Sequence, residues 1–169
     1  MKCIFGILDN ERGLKIANEM KKWLSTKYEI IECHHDGSLF EYPAIKMASE
    51  MNEPVLYIHT KGAGNDNGCQ PIIRNFWKRQ FIDNYDKYII ALNSHDVVCP
   101  FSGKEKHTWY NGFMTNPKAF DSIRHLLVEP NPNRYFYEDM WIGTDTDVFG
   151  VVSNEIDHTT VHKLGGLLR

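Results

Sequence analysis

The sequence predicts an α/β fold, a three-layer α/β/α arrangement in which helices cover both faces of a mostly parallel sheet. Two observations lead to this prediction. Strand and helix patterns alternate along the first half of the chain, and the strand segments are continuous apolar runs. Strands of a parallel sheet are buried on both faces, so they lack the alternation of apolar and polar residues typical of a half-exposed strand. The length of 169 residues indicates one domain, residues 1–169.

The first half of the chain supplies three predicted strands and two predicted helices. The apolar run 3–8 ends at polar residues, and segments 28–33 and 55–58 have a similar composition. Between the strands, residues 11–27 and 41–51 place apolar side chains at the spacing of an amphipathic helix. The core-facing positions expected in the first helix are Leu14, Ala17, Met20 and Leu24.

The second half is less regular, and its predicted elements are shorter. Residues 72–92 predict two helices because the pattern breaks near Asp83, and 129–133 is a loop rich in proline and asparagine. The other predicted elements are strands at 97–99, around 109–114 and at 148–152, and a short helix at 117–127.

The charge balance and the N-terminal residues argue against several kinds of partner. Asp and Glu number 22 against 19 Lys and Arg, a formal net charge of −3, so polymeric nucleic acid is not an expected partner. The N-terminal apolar run is too short for a signal peptide or a bilayer span. We therefore expect a cytoplasmic protein without a transmembrane segment, and we leave peripheral membrane association and homodimer formation open.

The cysteines predict reduced core thiols rather than a disulfide framework, because they lie far apart and include no CxxC pair. They are Cys3, Cys33, Cys69 and Cys99. Metal-ligand spacing occurs in 145–147 and between His158 and His162. We favour a polar turn for the first and a chance pair in the tail for the second.

Polar residues follow each of the first three predicted strands. The segments are Asp9-Asn10-Glu11-Arg12, His34-His35-Asp36-Gly37 and His59-Thr60-Lys61-Gly62. In a parallel sheet the carboxyl ends of the strands lie side by side, and ligands bind there. We therefore expect these segments to meet in a binding cleft.

The segment after the third strand is the most distinctive. His59 and Lys61 stand at the strand end, and a glycine-rich stretch, 62–68, follows, so that backbone amides can approach an anion closely. The order matches neither a Walker A loop nor the dinucleotide-binding fingerprint. A phosphate-binding loop and a surface turn with a solvated lysine are both open interpretations.

A basic and aromatic helix face lies further along the chain. Arg74, Lys78 and Arg79 surround Trp77, a combination that can bind a nucleotide or a single strand of nucleic acid. Such a face is more often solvated, with its aromatic residues in the core. We keep Arg74 and Lys78, four residues apart on one face, as candidate phosphate partners.

Adjacent carboxylates at Glu138 and Asp139 form another constellation, with aromatic residues on both sides. A carboxylate among large apolar groups is desolvated, which raises its pKa and makes it a general base near neutral pH. The alternative is a pair of acidic residues that only compensates the dipole at a helix N-terminus.

Four segments together resemble a group of small glycosyltransferase-type proteins with the GT-A fold, which use nucleotide sugars to make surface or capsular polysaccharides. The segments are 55–62, the helix containing Trp77, 109–113 and 134–143. They occur in the right order over most of the chain, and His-Thr-Lys-Gly is the distinctive one. The resemblance implies a Rossmann-like, nucleotide-diphospho-sugar transferase domain.

The resemblance also implies roles for individual residues. Catalysis falls on Glu138 or Asp139, as the carboxylate that takes the proton of an acceptor hydroxyl. Nucleotide binding falls on the end of the first strand, Asp9 to Arg12, and diphosphate binding on His59 and Lys61. Together with the positions of the other strand ends, this predicts a nucleotide-sugar site that comprises Gly6, Leu8, Asp9, Asn10, Arg12, Asp36, His59, Lys61, Gly62, Arg74, Asn111 and Gly112.

Two departures from the group's pattern concern the metal and the acceptor. Where the group usually has an Asp-x-Asp metal motif, this chain has His59-Thr60-Lys61, and a lysine can stabilise a leaving diphosphate as a fixed charge. A requirement for Mn²⁺ or Mg²⁺ is therefore open, and no residue is assigned as a metal ligand. The order Asn111-Gly112 differs from the Gly-Asn-Phe run of the group, which leaves acceptor recognition open.

The sequence thus leads to one hypothesis and two alternatives. The hypothesis is an inverting glycosyltransferase that moves a sugar from a nucleotide-diphosphate sugar to a hydroxyl of a saccharide or glycan acceptor. One alternative is a non-catalytic nucleotide- or carbohydrate-binding module on the same fold. The other is a nucleic-acid-associated protein that uses the basic helix face, and the net charge argues against it.

Overall fold

The chain was analysed as a computed structural model, which describes residues 1–64, 70–133 and 135–154. The described strands form one six-stranded sheet in the order β2-β1-β3-β5-β4-β6. Their bounds are Lys2–Leu8 (β1), Glu29–His35 (β2), Val55–His59 (β3), Val97–Phe101 (β4), Phe113–Thr115 (β5) and Val148–Ser153 (β6).

The sheet is parallel except at β5. β1 pairs in parallel with both β2 and β3, and β4 pairs in parallel with β6. β5 lies antiparallel between β3 and β4. The carboxyl ends of the five parallel strands and the start of β5 therefore lie at the same end of the sheet, which we call the carboxyl end.

Helices cover both faces, as the sequence predicts. They are α1 (Glu11–Leu24), α2 (Tyr42–Ser49), α3 (Gln70–Lys78), α4 (Tyr85–Leu92) and α5 (Phe136–Asp139). Side chains of α1, α3 and α4 pack in one apolar cluster with Phe5 and Ile58. Side chains of α2 and α5 pack in a second cluster with Ile4 and Tyr57, on the opposite face. Continuous apolar strands supply both cores because successive side chains point to opposite faces.

The first five elements, from β1 to β3, are confirmed in type and order. The break near Asp83 is also confirmed: α3 continues as a π-helical turn, Arg79–Asp83, and α4 begins at Tyr85. Leu14 was expected in the core, but it is 44% exposed, because the buried stripe of α1 runs through other positions, Gly13, Ile16, Ala17, Met20 and Leu24.

Two predictions in the second half are wrong. The strand around 109–114 is a 3₁₀ turn, Trp109–Asn111, followed by the three-residue strand β5. The turn interrupts the extended backbone because Tyr110 and Asn111 have φ values of 66° and 52°. The helix at 117–127 is two 3₁₀ segments, Pro117–Ser122 and Arg124–Leu127. Among residues 1–64, 70–133 and 135–154, no helix is long and apolar enough to cross a bilayer.

Candidate functional site

The junction of β1 and α1 is a tight turn at the carboxyl end. Asn10 caps α1, since its Oδ1 accepts a hydrogen bond from the Gly13 amide at 2.7 Å. A Cβ on Gly13 would lie 2.0 Å from the carbonyl oxygen of Leu8, so this close approach of helix and strand requires glycine. The Asn10 side-chain amide also donates to the Ala63 carbonyl at 3.4 Å, which links this turn to the loop after β3.

The loop after β3 is held by hydrogen bonds on both sides. Thr60 donates its amide to the Gly6 carbonyl at 2.9 Å, and its hydroxyl accepts from the Leu8 amide at 3.1 Å. Arg74 of α3 donates from Nη1 to the Lys61 carbonyl at 2.6 Å. Gly62 has a φ of 90°, which favours glycine at this turn. Arg74, a predicted phosphate partner, thus supports the backbone of the loop that carries Lys61.

The Lys61 side chain lies where the β3 loop, the 3₁₀ turn and α5 meet. Its Nζ is 3.8 Å from Glu138 Oε1 and 5.9 Å from the centre of the Tyr110 ring. The Lys61 and Glu138 side chains are 18% and 20% exposed, so the pair lies at the surface but is largely covered. A fixed cation and a carboxylate from distant parts of the chain are therefore adjacent at the carboxyl end.

Asp139, the next residue, has a different partner. Its Oδ1 is 2.7 Å from Nδ1 of His107. The His107 ring stacks on Trp109 with ring centres 4.8 Å apart, and a Cβ on Gly103 would lie 2.6 Å from the same ring. The Thr108 amide donates to the Glu138 carbonyl at 3.0 Å, which joins the His107 loop to α5.

The 3₁₀ turn brings a buried amide to the same region. Asn111 is fully buried, and the described residues supply no hydrogen-bond partner for its Nδ2 or Oδ1. Two consecutive non-glycine residues in the left-handed region are strained, a feature that concentrates at functional sites. A Cβ on Gly112 would lie 2.9 Å from Trp77 Nε1, so the indole fills the space beside this glycine.

Two histidines lie on either side of Gly6. A Cβ on Gly6 would be 3.3 Å from the His59 Cβ and 3.9 Å from His35 Nε2, so the missing side chain leaves room for both. Burial lowers the pKa of His35, and it lowers the pKa of His59 well below the usual value, with the Lys61 charge as a second cause. Both imidazoles are therefore neutral near pH 7, and His59 also packs against Tyr57 and Trp77.

The predicted residues at the ends of β1 and β2 bind one another or their own turns. Asp9 accepts from His34 Nδ1 at 2.6 Å, and Glu32 is 3.1 Å from His34 Nε2. Hydrogen bonds to Asp9 and then Glu32 raise the pKa of His34. Asp36 accepts from the Ser38 amide and hydroxyl, which lowers the pKa of the Asp36 carboxyl.

The structure thus divides the predicted residues into two groups along the carboxyl end. One lies around Lys61 and comprises His59, Lys61, Gly62, Arg74, Asn111, Gly112, Glu138 and Asp139; the other lies at β1 and β2 and comprises Gly6, Leu8, Asp9, Asn10, Arg12 and Asp36. Gly6 joins the two groups, because it pairs with His59 between β1 and β3. Sequence reasoning missed His107 and Thr60. Thr60 belongs to the segment His59-Thr60-Lys61-Gly62, which the sequence already marks. His107 stands in no recognisable motif, because only the fold brings it to Asp139.

The remaining candidates have structural partners or lie outside the described residues. Phe76 and Trp77 are buried, and Lys78 is exposed on α3, in agreement with a solvated basic face. Asp147 pairs with His95 at 2.7 Å, at the opposite end of the sheet. Cys3, Cys33 and Cys99 are free thiols, as expected. Residues 65–69, including Cys69, and Arg134, His158 and His162 lie outside the described residues.

The described part of the loop after β3 carries a lysine, Lys61, where a metal site would carry carboxylates. Across the described ranges, no group of three or more His, Cys, Asp or Glu side chains is placed to hold one. The Lys61 ammonium lies 3.8 Å from Glu138 Oε1 and supplies a positive charge at this end of the sheet. We therefore assign no metal ligand and derive no chemical step through Mn²⁺ or Mg²⁺.

Comparison with known proteins gives no relative for this chain. No protein-family model matches it, and no curated protein or solved structure matches it either.

Proposed function

We propose that this protein transfers a sugar from a nucleoside-diphosphate sugar to an acceptor hydroxyl, with inversion at the anomeric carbon. One observation carries the proposal: the Lys61 ammonium lies 3.8 Å from the first of two adjacent carboxylates, Glu138 and Asp139, at the carboxyl end of a mostly parallel sheet. This end is where α/β sheets of this kind bind ligands. The resemblance of the surrounding segments to the GT-A group points to the same reaction.

Lys61 supplies the charge that a departing diphosphate needs. Thr60 and Arg74 hold the backbone of its loop, and the Lys61 side chain extends from there to within 3.8 Å of Glu138 Oε1. When the bond between the anomeric carbon and the phosphate oxygen breaks, negative charge develops on the diphosphate. A fixed cation at that point stabilises the transition state more than the ground state.

A basic group beside Glu138 and Asp139 receives the proton of the attacking hydroxyl. The oxygen forms its bond to the anomeric carbon from the face opposite the leaving group, which gives inversion. Neutral hydrogen-bonding groups near Lys61, the Asn111 amide and the uncharged His59 ring, suit sugar hydroxyls, because each hydroxyl both donates and accepts. Strain at Tyr110 and Asn111 supports a binding role for this turn.

Calorimetric titration with UDP-glucose, GDP-mannose and dTDP-glucose, each with and without Mn²⁺, tests donor binding. We expect one of them to bind and Lys61→Met to weaken it about 10- to 100-fold, since a hydrogen bond to a charged group contributes about 1.5–3 kcal/mol. Lys118→Met is the matched control, because Lys118 pairs with Asp96 away from the carboxyl end. Binding to none of the donors, or an equal loss in both variants, would contradict the proposal.

Release of free nucleoside diphosphate from the bound donor separates an enzyme from a binding module. A glycosyltransferase hydrolyses its donor slowly, with water in place of the acceptor. Tight binding without release above the uncatalysed rate would support the binding module and reject glycosyl transfer.

A further inference from the structure

We infer that His107, rather than either carboxylate, takes the proton of the attacking hydroxyl, and that Asp139 positions it. This inference rests on the proposed function and assigns the proton acceptor within the same site. It starts from the contrast between two adjacent acidic residues: Glu138 lies beside a lysine, whereas Asp139 lies beside a histidine. A carboxylate paired with a fixed cation is a weak base, and a histidine oriented by a carboxylate is a strong one near neutral pH.

The His107 ring is held in one orientation. Nδ1 is 2.7 Å from Asp139 Oδ1, so the neutral ring carries its proton on Nδ1 and leaves the lone pair on Nε2. Trp109 stacks on the His107 ring, and the same ring fills the space where a side chain on Gly103 would lie. The His107 carbonyl accepts from the Gly103 amide at 3.1 Å, which closes the loop around the ring.

The charged groups that face the ring leave Nε2 available. Besides Asp139, Glu105 faces the ring, with Oε2 3.9 Å from Nε2. This separation is beyond hydrogen-bond distance, and the Glu105 side chain is 74% exposed. The neighbouring Lys106 ammonium is directed to the Thr144 carbonyl. The His107 side chain itself is 20% exposed, so the ring is largely covered but still reaches solvent.

In the proposed reaction one bond forms as another breaks, and the proton of the hydroxyl moves to His107. The acceptor oxygen forms its bond to the anomeric carbon while the bond from that carbon to the diphosphate oxygen breaks. The diphosphate leaves with the bonding electron pair beside Lys61, and the hydroxyl proton passes to Nε2 of His107. The resulting imidazolium is stabilised by the Asp139 carboxylate and then returns its proton to water.

The protein contains a matched control for this pair. His95 Nδ1 lies 2.7 Å from Asp147 Oδ2, and its ring stacks on Phe149 with centres 4.3 Å apart. The pair precedes β4 and β6, at the amino ends of these strands and away from Lys61. The two pairs therefore have the same distance between Nδ1 and the carboxylate, but only the His107–Asp139 pair lies at the candidate site.

Donor hydrolysis of UDP-glucose, GDP-mannose and dTDP-glucose is measured against pH in His107→Asn, Asp139→Asn, His95→Asn and Asp147→Asn. Asparagine at 107 keeps a donor for Asp139 but cannot accept the proton. We expect the rate of His107→Asn to be about 10²- to 10⁴-fold lower, with donor affinity unchanged. The fall in rate on the acidic side of the pH profile should also disappear in this variant, because the group that is protonated there is gone. Asp139→Asn should lower the rate as well, because the ring loses the acceptor that orients it, and Asp139→Glu should restore part of that rate. Both control variants should behave as the unmodified chain.

Proton NMR of the His107 ring provides a second measurement that does not depend on turnover. The Cε1 proton resonance, identified by its loss in His107→Asn, should move in Asp139→Asn, because the ring loses the partner of its Nδ1 proton, and should stay in place in Asp147→Asn. Equal rates in His107→Asn and the unmodified chain, with donor binding intact, would overturn this assignment and leave the proposed function standing. Failure of every donor to bind or to be hydrolysed would reject the proposed function, and this assignment with it.

Discussion

The Lys61 ammonium lies 3.8 Å from the Glu138 carboxylate. Lys61 follows β3, and Glu138 belongs to the short helix α5. The pair joins a basic motif after β3 to an acidic motif far along the chain. Such a pair is partly covered and only modestly stabilising, because exposed ion pairs contribute about 0.2–1 kcal/mol. Its position at the carboxyl end, rather than its strength, makes it the centre of the candidate site.

Removal of the Glu138 charge should strengthen phosphate binding. In Glu138→Gln, Lys61 loses its competing carboxylate, and affinity for the nucleoside diphosphate should rise about 2- to 5-fold, the equivalent of about 0.4–1 kcal/mol. Calorimetry with UDP, GDP and dTDP measures this change. Asp96→Asn, which removes the partner of Lys118, is the control and should leave affinity unchanged. A weaker affinity in Glu138→Gln would argue that Glu138 itself binds the ligand.

Gly13→Ala should destabilise the protein strongly. The new Cβ would lie 2.0 Å from the Leu8 carbonyl oxygen, which is backbone and cannot move aside easily. We expect a loss of about 3 kcal/mol in the free energy of unfolding, measured by urea denaturation. Gly143→Ala is the comparison, because it meets no atom within 4 Å and has only an unfavourable φ of 73°. Its expected cost is about 1 kcal/mol. Equal costs in the two variants would contradict the close approach of α1 and β1.

The His34 network should make stability depend on pH in one direction. Hydrogen bonds to Asp9 and Glu32 raise the pKa of His34 in the folded state. Its contribution is therefore fully present below the unfolded pKa of about 6.5 and is lost as pH rises through the folded pKa. Because the ring is 43% exposed, the contribution is less than about 1 kcal/mol.

His34→Gln measures this effect. Its free energy of unfolding should fall below that of the unmodified chain between about pH 5 and 6, and the two curves should approach each other as the pH rises through the raised pKa of His34. His125→Gln, an exposed position in a 3₁₀ segment, serves as the control. A difference that grows as pH rises would have the wrong sign for this network.

The buried thiols should react slowly in the native protein. Burial raises the pKa of the Cys3 and Cys99 thiols, so the reactive thiolate is scarce and the sulfurs are inaccessible. We expect the Cys69→Ser variant, which retains Cys3, Cys33 and Cys99, to react with Ellman's reagent slowly when native and completely when unfolded in urea. Full reaction of the native variant within the mixing time would contradict the burial of these residues.

The sequence was sufficient for the parts of the fold that depend on local patterns. Apolar runs and helical spacing predict the order from β1 to β3, and proline and polar residues mark most of the later boundaries. The antiparallel insertion of β5 could not be predicted, because three residues carry no detectable alternation. The 3₁₀ turn before it depends on the left-handed conformations of Tyr110 and Asn111. Asparagine favours this region but tyrosine does not, so residue type alone does not predict the pair.

The candidate site was predictable only in part for the same physical reason. Lys61, Glu138 and Asp139 stand in recognisable motifs, so composition and position point to them. Their partners come from segments far away in the sequence. His107, in the loop between β4 and β5, contacts Asp139. Thr60, after β3, accepts a hydrogen bond from Leu8 at the end of the neighbouring strand β1. Contacts of this kind arise from the fold and leave no spacing in the sequence.

A crystal structure with a bound nucleoside diphosphate tests the central claim most directly. UDP, GDP and dTDP are the ligands, and the one with the highest calorimetric affinity is used. The account predicts the diphosphate at the carboxyl end, with a phosphate oxygen within hydrogen-bond distance of Lys61 Nζ. A diphosphate bound elsewhere on the protein, or no binding of any of the three, would contradict it.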